Sequence, residues 1–189
     1  MSPEDVVARA ATLVDGARPV HADGDVCLDV PRDRWPQAAV AVREDPQLDL
    51  GYFDLLTVVD RLDAGLDVVL HLWSVDARHG IELRARCPRQ DPCLPSLAGV
   101  FAGADWHERA AAEMFGLSFT GHPRLVRLLL PDSFDGTPLR KDFVLASRVA
   151  KPWPGAKDPG ESDADLGSAR GRRRVLPPGV PAPGTWGPS

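Results

Sequence analysis

Apolar residues near the start of the chain recur at helical spacing, with Val6, Val7, Ala10, Ala11, Leu13 and Val14 on one face. Ser2 precedes them as an N-cap, Pro3 takes the first helical position, and Glu4 and Asp5 put acids in the first turn, where the helix dipole favours them. Gly16 ends the run. The period then shortens: Val26, Leu28 and Val30 alternate with Cys27 and Asp29, which predicts a short strand with one buried face. A second helix is predicted from about Asp33 to Glu44, turning Trp35, Ala38, Ala39 and Val42 to the core and stopped by Asp45-Pro46.

A strand-rich stretch follows. Leu55 to Leu62 and Leu66 to Trp73 flank Asp63-Ala64-Gly65, a loop with the glycine a short hairpin needs. Ile81, Leu83, Ala85 and Cys87 alternate with Glu82, Arg84 and Arg86, a third strand with one wet face. Pro88 to Pro95 reads as a loop. Asp105-Trp106-His107-Glu108 matches a capping box, with Asp105 as N-cap and Glu108 three positions on, opening a helix that Gly116 stops after Phe115. From Leu117 to Leu145 the pattern is irregular, with Gly121, Pro123, Pro131, Gly136 and Pro138 as turn points.

Composition changes after about Ala150. Residues 151–189 hold 8 Pro and 7 Gly, too few apolar side chains to offset the entropy of ordering by self-burial. A domain over 1–150 and an extended, partner-wrapping tail over 151–189 are therefore expected, with Trp153 and Trp186 as anchors. No apolar run approaches the roughly 18 residues of a membrane span, and the first residues carry acids where a secretory signal carries bases. The expectation is a cytoplasmic chain that meets a membrane only through partners. A net charge of −5 argues against a general nucleic-acid binder, which needs a surplus of phosphate-neutralising charge. Three cysteines fit a reducing compartment.

Known chemistries find little purchase. An iron–sulfur cluster needs about four closely spaced thiolates; here only Cys87 and Cys93 are near each other, at a spacing that suits neither a zinc knuckle nor a redox pair. His107-Glu108 begins like a zinc-protease motif, but Ala111 stands where the second histidine belongs. Gly116 to Gly121 has phosphate-loop spacing, yet His122-Pro123 replaces the lysine and hydroxyl. His71 reads as a satisfied, partly buried strand residue, and His122 as one that fixes a turn or, less simply, carries a proton. Two charged clusters remain. Arg170, Arg172, Arg173 and Arg174 suit a solvated tail, an acidic docking surface or an anionic one. Arg140-Lys141-Asp142 sits between Leu139 and Phe143, where apolar neighbours draw charge towards buried surface; such charges need partners, unless the loop is solvated.

Several spaced motifs carry a resemblance. Asp105-Trp106-His107-Glu108-Arg109, Glu113-Met114-Phe115-Gly116, Gly121-His122-Pro123, Arg127-Leu128-Leu129 and Leu139-Arg140-Lys141-Asp142-Phe143 stand in the order seen in the thirty-kilodalton subunit family of respiratory complex I, the proton-pumping NADH–quinone oxidoreductase. Upstream, Phe53-Asp54-Leu55-Leu56, Val68 to Leu72 and Pro95-Ser96-Leu97 resemble the same family, so the likeness covers roughly residues 50–145. His107, Ala110 and Val144 depart from it. The resemblance implies an α+β domain, helices packed on a mainly antiparallel sheet. It also implies a peripheral-arm protein without flavin, iron–sulfur cluster or quinone of its own, on the cytoplasmic side of the cell membrane. There it would brace the large quinone-site subunit, beside the iron–sulfur subunits. Glu108, Arg109, His122, Arg140, Lys141 and Asp142 are then expected at interfaces, the two charged sets pairing with each other or with the large subunit. The same role in a membrane-bound hydrogenase or another quinone-reducing dehydrogenase is the near alternative. A free-standing enzyme, or a nucleic-acid adaptor working through the arginines, would differ by binding a ligand or showing steep salt dependence.

Overall fold

Ser2 opens the first helix as the sequence predicts. Its Oγ accepts from the Asp5 N–H and the Asp5 carboxylate accepts from the Ser2 N–H, both at 3.2 Å, a reciprocal cap that satisfies two otherwise orphaned donors. The computed structural model describes residues 1–22 and 25–143. Its elements run α1 (Pro3–Leu13), β1 (Arg18–Ala22), β2 (Asp25–Asp29), α2 (Trp35–Glu44), β3 (Tyr52–Asp60), β4 (Leu66–Ser74), β5 (His79–Cys87), β6 (Cys93–Pro95), α3 (Ala104–Phe115) and β7 (Ser118–Thr120). Single 3-10 turns at Arg32–Arg34 and Leu62–Ala64 precede α2 and β4.

Five strands form one sheet in the order β1-β2-β5-β4-β3, antiparallel except where β2 runs parallel to β5. The architecture is α+β with a mainly antiparallel sheet. Strand alternation sorts side chains onto two faces. On one face, Leu66, Val68, Leu70 and Leu72 of β4 stand opposite Cys87, Ala85, Leu83 and Ile81 of β5, all buried. Leu56 and Val58 of β3 and Leu28 of β2 extend this layer. Val6 and Ala10 of α1 and Trp35, Ala38 and Val42 of α2 close over it, all with no exposed surface. Each fully buried leucine contributes roughly 2 kcal/mol relative to exposure.

The outer face carries charge. Arg86 forks onto Asp67, and Arg84 onto Asp29, across neighbouring strands. Cys27 points to this side yet is 5% exposed, while Asp29 on the same face keeps 41% of its side chain exposed, so the outer face of β2 is covered at the thiol alone. β2 lies between β1 and β5, and Arg84 and Asp29 flank the thiol.

Three short elements depart from the expected pattern. β1 is a strand where none is predicted, paired to β2 through Val20 and Cys27. β6 and β7 fall in segments read as loop and pair in parallel, Leu94 beside Phe119. Each spans three residues, too short for a period to declare itself. The hairpin between β3 and β4 closes on Gly65 at φ +101°, where an added Cβ would lie 2.4 Å from the Cys87 carbonyl oxygen. Residues 1–143 form one compact unit; the boundary expected near residue 150 lies outside the described residues.

Candidate functional site

Helix α3 begins two residues earlier than its acidic pattern suggests. Ala104 N–H donates to the Phe101 carbonyl, Gly103 occupies the N-cap, and no side chain caps the end. The expected capping box is therefore absent. Glu108 instead shares the buried face of α3 with Ala104, four residues before it, and Ala111, three after it, the spacings that put side chains on one side of a helix. Its side chain has no exposed surface. Ser96 Oγ donates to Oε2 and Leu97 N–H to Oε1, each at 2.6 Å, so this carboxylate fastens the turn after β6 to the helix. Burial pushes its pKa up, against the pull of those donors and of His122.

His122, equally buried, follows β7. Arg124 N–H donates to its Nδ1 at 3.0 Å, which leaves Nε2 as the protonated nitrogen. Nε2 lies 3.3 Å from both the carbonyl and Oδ1 of Asp105 and 3.8 Å from Glu108 Oε2. The ring fixes the turn, the first of the two roles weighed for it. His107 faces β3, with Nδ1 at 3.0 Å from the Leu56 carbonyl and its ring edge on Phe53. It covers backbone polar groups on the outermost strand of the sheet.

Beyond β7 the chain crosses α3 without regular structure, and three charged side chains hold it. Arg109 donates to the carbonyls of Val126 and Arg127, both at 3.0 Å. Glu113 accepts from the N–H groups of Leu128, Leu129 and Leu130 at 3.3, 2.8 and 2.8 Å. Burial would raise its pKa, and these amides more than reverse that. Arg127 Nη1 donates to the carbonyls of Pro131, Asp132 and Phe134 at 2.7, 3.1 and 2.8 Å. Charged side chains here replace the partner that a strand would supply.

A further node joins the end of β3 to the last described residues. Asp60, 3% exposed, accepts from Arg89 Nη1 at 2.6 Å, from Lys141 N–H at 2.8 Å and from Leu62 N–H at 2.8 Å. Burial opposes its ionisation, but these donors win and hold the pKa at about 2. The other arm of Arg89 meets Asp142 at 2.6 Å. Arg140 donates to the Arg89 carbonyl at 3.2 Å.

The two charged sets expected to pair do not meet each other. Glu108 and Arg109 are used around α3, while Arg140, Lys141 and Asp142 gather around Arg89 and Asp60. Lys141 and Asp142 are also exposed, so the expected inward pull holds only for Arg140, whose Nε is buried without a partner among the described residues. Trp153 and Trp186 lie outside the described residues. Sequence reasoning missed Asp60, Arg89 and Arg127 as organising groups. Asp60 had a signal: it continues the buried phase of Leu56 and Val58, and a carboxylate in that phase demands donors. Among the described residues no group of His, Cys, Asp and Glu is arranged to hold a metal. The Cys87 thiol, pushed up to about 11 by burial, stays protonated at neutral pH.

Comparison with known proteins matches residues 28–149 to the family described as respiratory-chain NADH dehydrogenase, 30 Kd subunit. An NADH-quinone oxidoreductase subunit of Chlorobium phaeobacteroides is 40% identical over 129 residues, covering 67% of this chain and 75% of that one. Its counterpart in Chloroherpeton thalassium is 39% identical over 128 residues, again 67% of this chain, which spans only about half of that relative (52%). Among solved structures, the trypsin-resistant fragment of Nqo5 superposes with a TM-score of 0.55 at 23% identity, over 66% of this chain and 100% of the fragment. A chain of the membrane-bound sulfane sulfur reductase, an archaeal respiratory membrane complex, does so with 0.66 at 20% identity, over 86% and 99%. These two likenesses speak to the fold. With the family match spanning most of the folded unit and the order of motifs around α3, the chain belongs to the 30 kDa subunit family of the respiratory-chain NADH dehydrogenase.

Proposed function

We propose that this chain is a non-catalytic, peripheral-arm subunit of a proton-translocating NADH–quinone oxidoreductase. In this reading it braces the large subunit that helps form the quinone site, on the cytoplasmic side of the membrane, while electrons pass through other chains. Trp153 and Trp186 serve as anchors on partner subunits. The observation that carries the reading is how the charged side chains are used. Glu108, Glu113, Arg127 and Asp60, which a catalytic protein would turn towards a substrate, are each consumed in holding this chain's own backbone. They make a rigid surface, which is what a brace requires. No helix among the described residues is long and apolar enough to cross a membrane, so attachment through partners fits.

The test is to tag the chain in its host, solubilise membranes in mild detergent and identify what co-purifies. Recovery of the flavin, iron–sulfur and quinone-site subunits together supports the reading. Recovery of a hydrogenase or another donor module assigns the same role to a related machine. A chain recovered alone that binds substrate or metal overturns it.

A further inference from the structure

His122 stands between two demands that no single protonation state meets. Its side chain has no exposed surface. Nδ1 accepts the Arg124 N–H at 3.0 Å, a bond available only while that nitrogen keeps its lone pair. The other nitrogen faces acid: Nε2 lies 3.3 Å from Asp105 Oδ1 and 3.8 Å from Glu108 Oε2. Glu108 is buried too, and its other partners are neutral donors, the Ser96 hydroxyl and the Leu97 N–H. Arg109 reaches only the other oxygen of Asp105, at 3.8 Å. Helix α3 thus turns two carboxylates and one distant cation towards the ring. The turn after β6 brings Ser96, and β7 carries no titratable side chain.

We infer that His122 is an acid-sensitive latch: the neutral ring holds the turn from Gly121 to Arg124 closed, and protonation of the ring opens it. A proton on Nδ1 points a second N–H at the Arg124 N–H, so two donors face each other and neither is satisfied. The same proton supplies the positive charge that the buried Glu108 lacks beside it. The closed turn favours the neutral ring, and the carboxylates favour the imidazolium. That opposition makes two states of one element, biased by pH in the range where histidine changes charge. The reach of the latch is short. Glu113 keeps Leu128 to Leu130 on α3, and their amides hold its carboxylate below the usual range, so this clasp survives mild acid. Arg109 still holds the carbonyls of Val126 and Arg127. Acid therefore frees residues 121–125, and the exposed Leu125 loses its fixed place on the surface. Nothing in the latch depends on a partner, so it stands apart from the subunit reading.

NMR of the isotope-labelled full chain at about pH 8 and about pH 5 reads both ends of the device. At the higher pH the His122 ring should be neutral, with Nε2 protonated and Nδ1 bare. At the lower pH it should be an imidazolium. The protection of the Arg124 amide, corrected for the intrinsic pH dependence of exchange, should then fall about tenfold, while Leu128 to Leu130 and the sheet keep theirs. His122→Asn separates titration from shape. Its Oδ1 can accept the same N–H two residues on and does not titrate, so the Arg124 amide should stay equally protected at both pH values. A neutral ring protonated on Nδ1 at the higher pH overturns the inference. So does a ring still neutral at the lower pH, or an imidazolium with Arg124 still protected. A loss of protection that persists in His122→Asn, or that spreads to the sheet, overturns it as well, because a general acid transition would then be the cause. Should His122→Asn fail to fold, the wild-type ring and amide signals decide alone.

Discussion

Asp60 shows how one residue couples charge to stability. Its pKa is held at about 2, below the ordinary value near 3.9, so its stabilising contribution is complete above about pH 4 and is lost as pH falls towards 2. Asp60→Asn should cost on the order of 2 kcal/mol at neutral pH, and the gap from wild type should close across that acid window. Urea midpoints at several pH values measure this; a gap that persists unchanged at pH 2 would mean that packing is what matters there. Glu108 carries the opposite sign. Burial raises its pKa, so its ionisation in the folded state is disfavoured and its contribution falls as pH rises from the unfolded carboxyl range through the folded value. Glu108→Gln removes the titration. Wild type should lose stability relative to this variant as pH rises from about 4, and parallel pH profiles for the two proteins would contradict the assignment.

At the scale of elements, two devices hold the irregular parts. Gly65→Ala forces a side chain onto φ +101° and against the Cys87 carbonyl, and should cost about 2 kcal/mol or more in thermal unfolding. An unchanged melting temperature would show that the hairpin has another way to close. Glu113→Ala releases the amides of Leu128, Leu129 and Leu130, whose hydrogen exchange should quicken by about tenfold or more while the sheet stays protected. This contrast also explains what the sequence disclosed. The elements with a long period, α1, α2, β3 to β5 and α3, stand out because many residues vote for one face. Gly116 ends α3 in a left-handed cap as its position implies. β6 and β7 were illegible because three residues hold no period, and the segment over α3 because its order comes from side chains far away in sequence. Glu108 misled for a related reason: an acid three residues after an acid looks like a cap, and only the packing of Ala104 and Ala111 reveals that it faces inward.

For the whole molecule, family motifs carried further than elementary patterns did. The residues around α3 and residues 139–143 pointed to a subunit, and their geometry shows how the charged ones act: Glu108, Arg109, Glu113 and Arg140 hold backbone segments, and Asp142 pairs with Arg89. Arg140 and Asp142 stand at the edge of the Arg89–Asp60 node. Their loss should loosen the surface presented to partners and reduce assembly. Asp142 is largely exposed, so solvent screens its pair with Arg89 and the pair adds little to the free chain; a large effect on assembly would have to arise where the complex buries it. The most direct measurement is quinone-reductase activity normalised to intact complex on a native gel, for chains carrying Arg140→Ala and Asp142→Ala. The account predicts less assembled complex and turnover per complex within about twofold of wild type. Full assembly with turnover about a hundredfold slower would place these residues in the chemistry and contradict it.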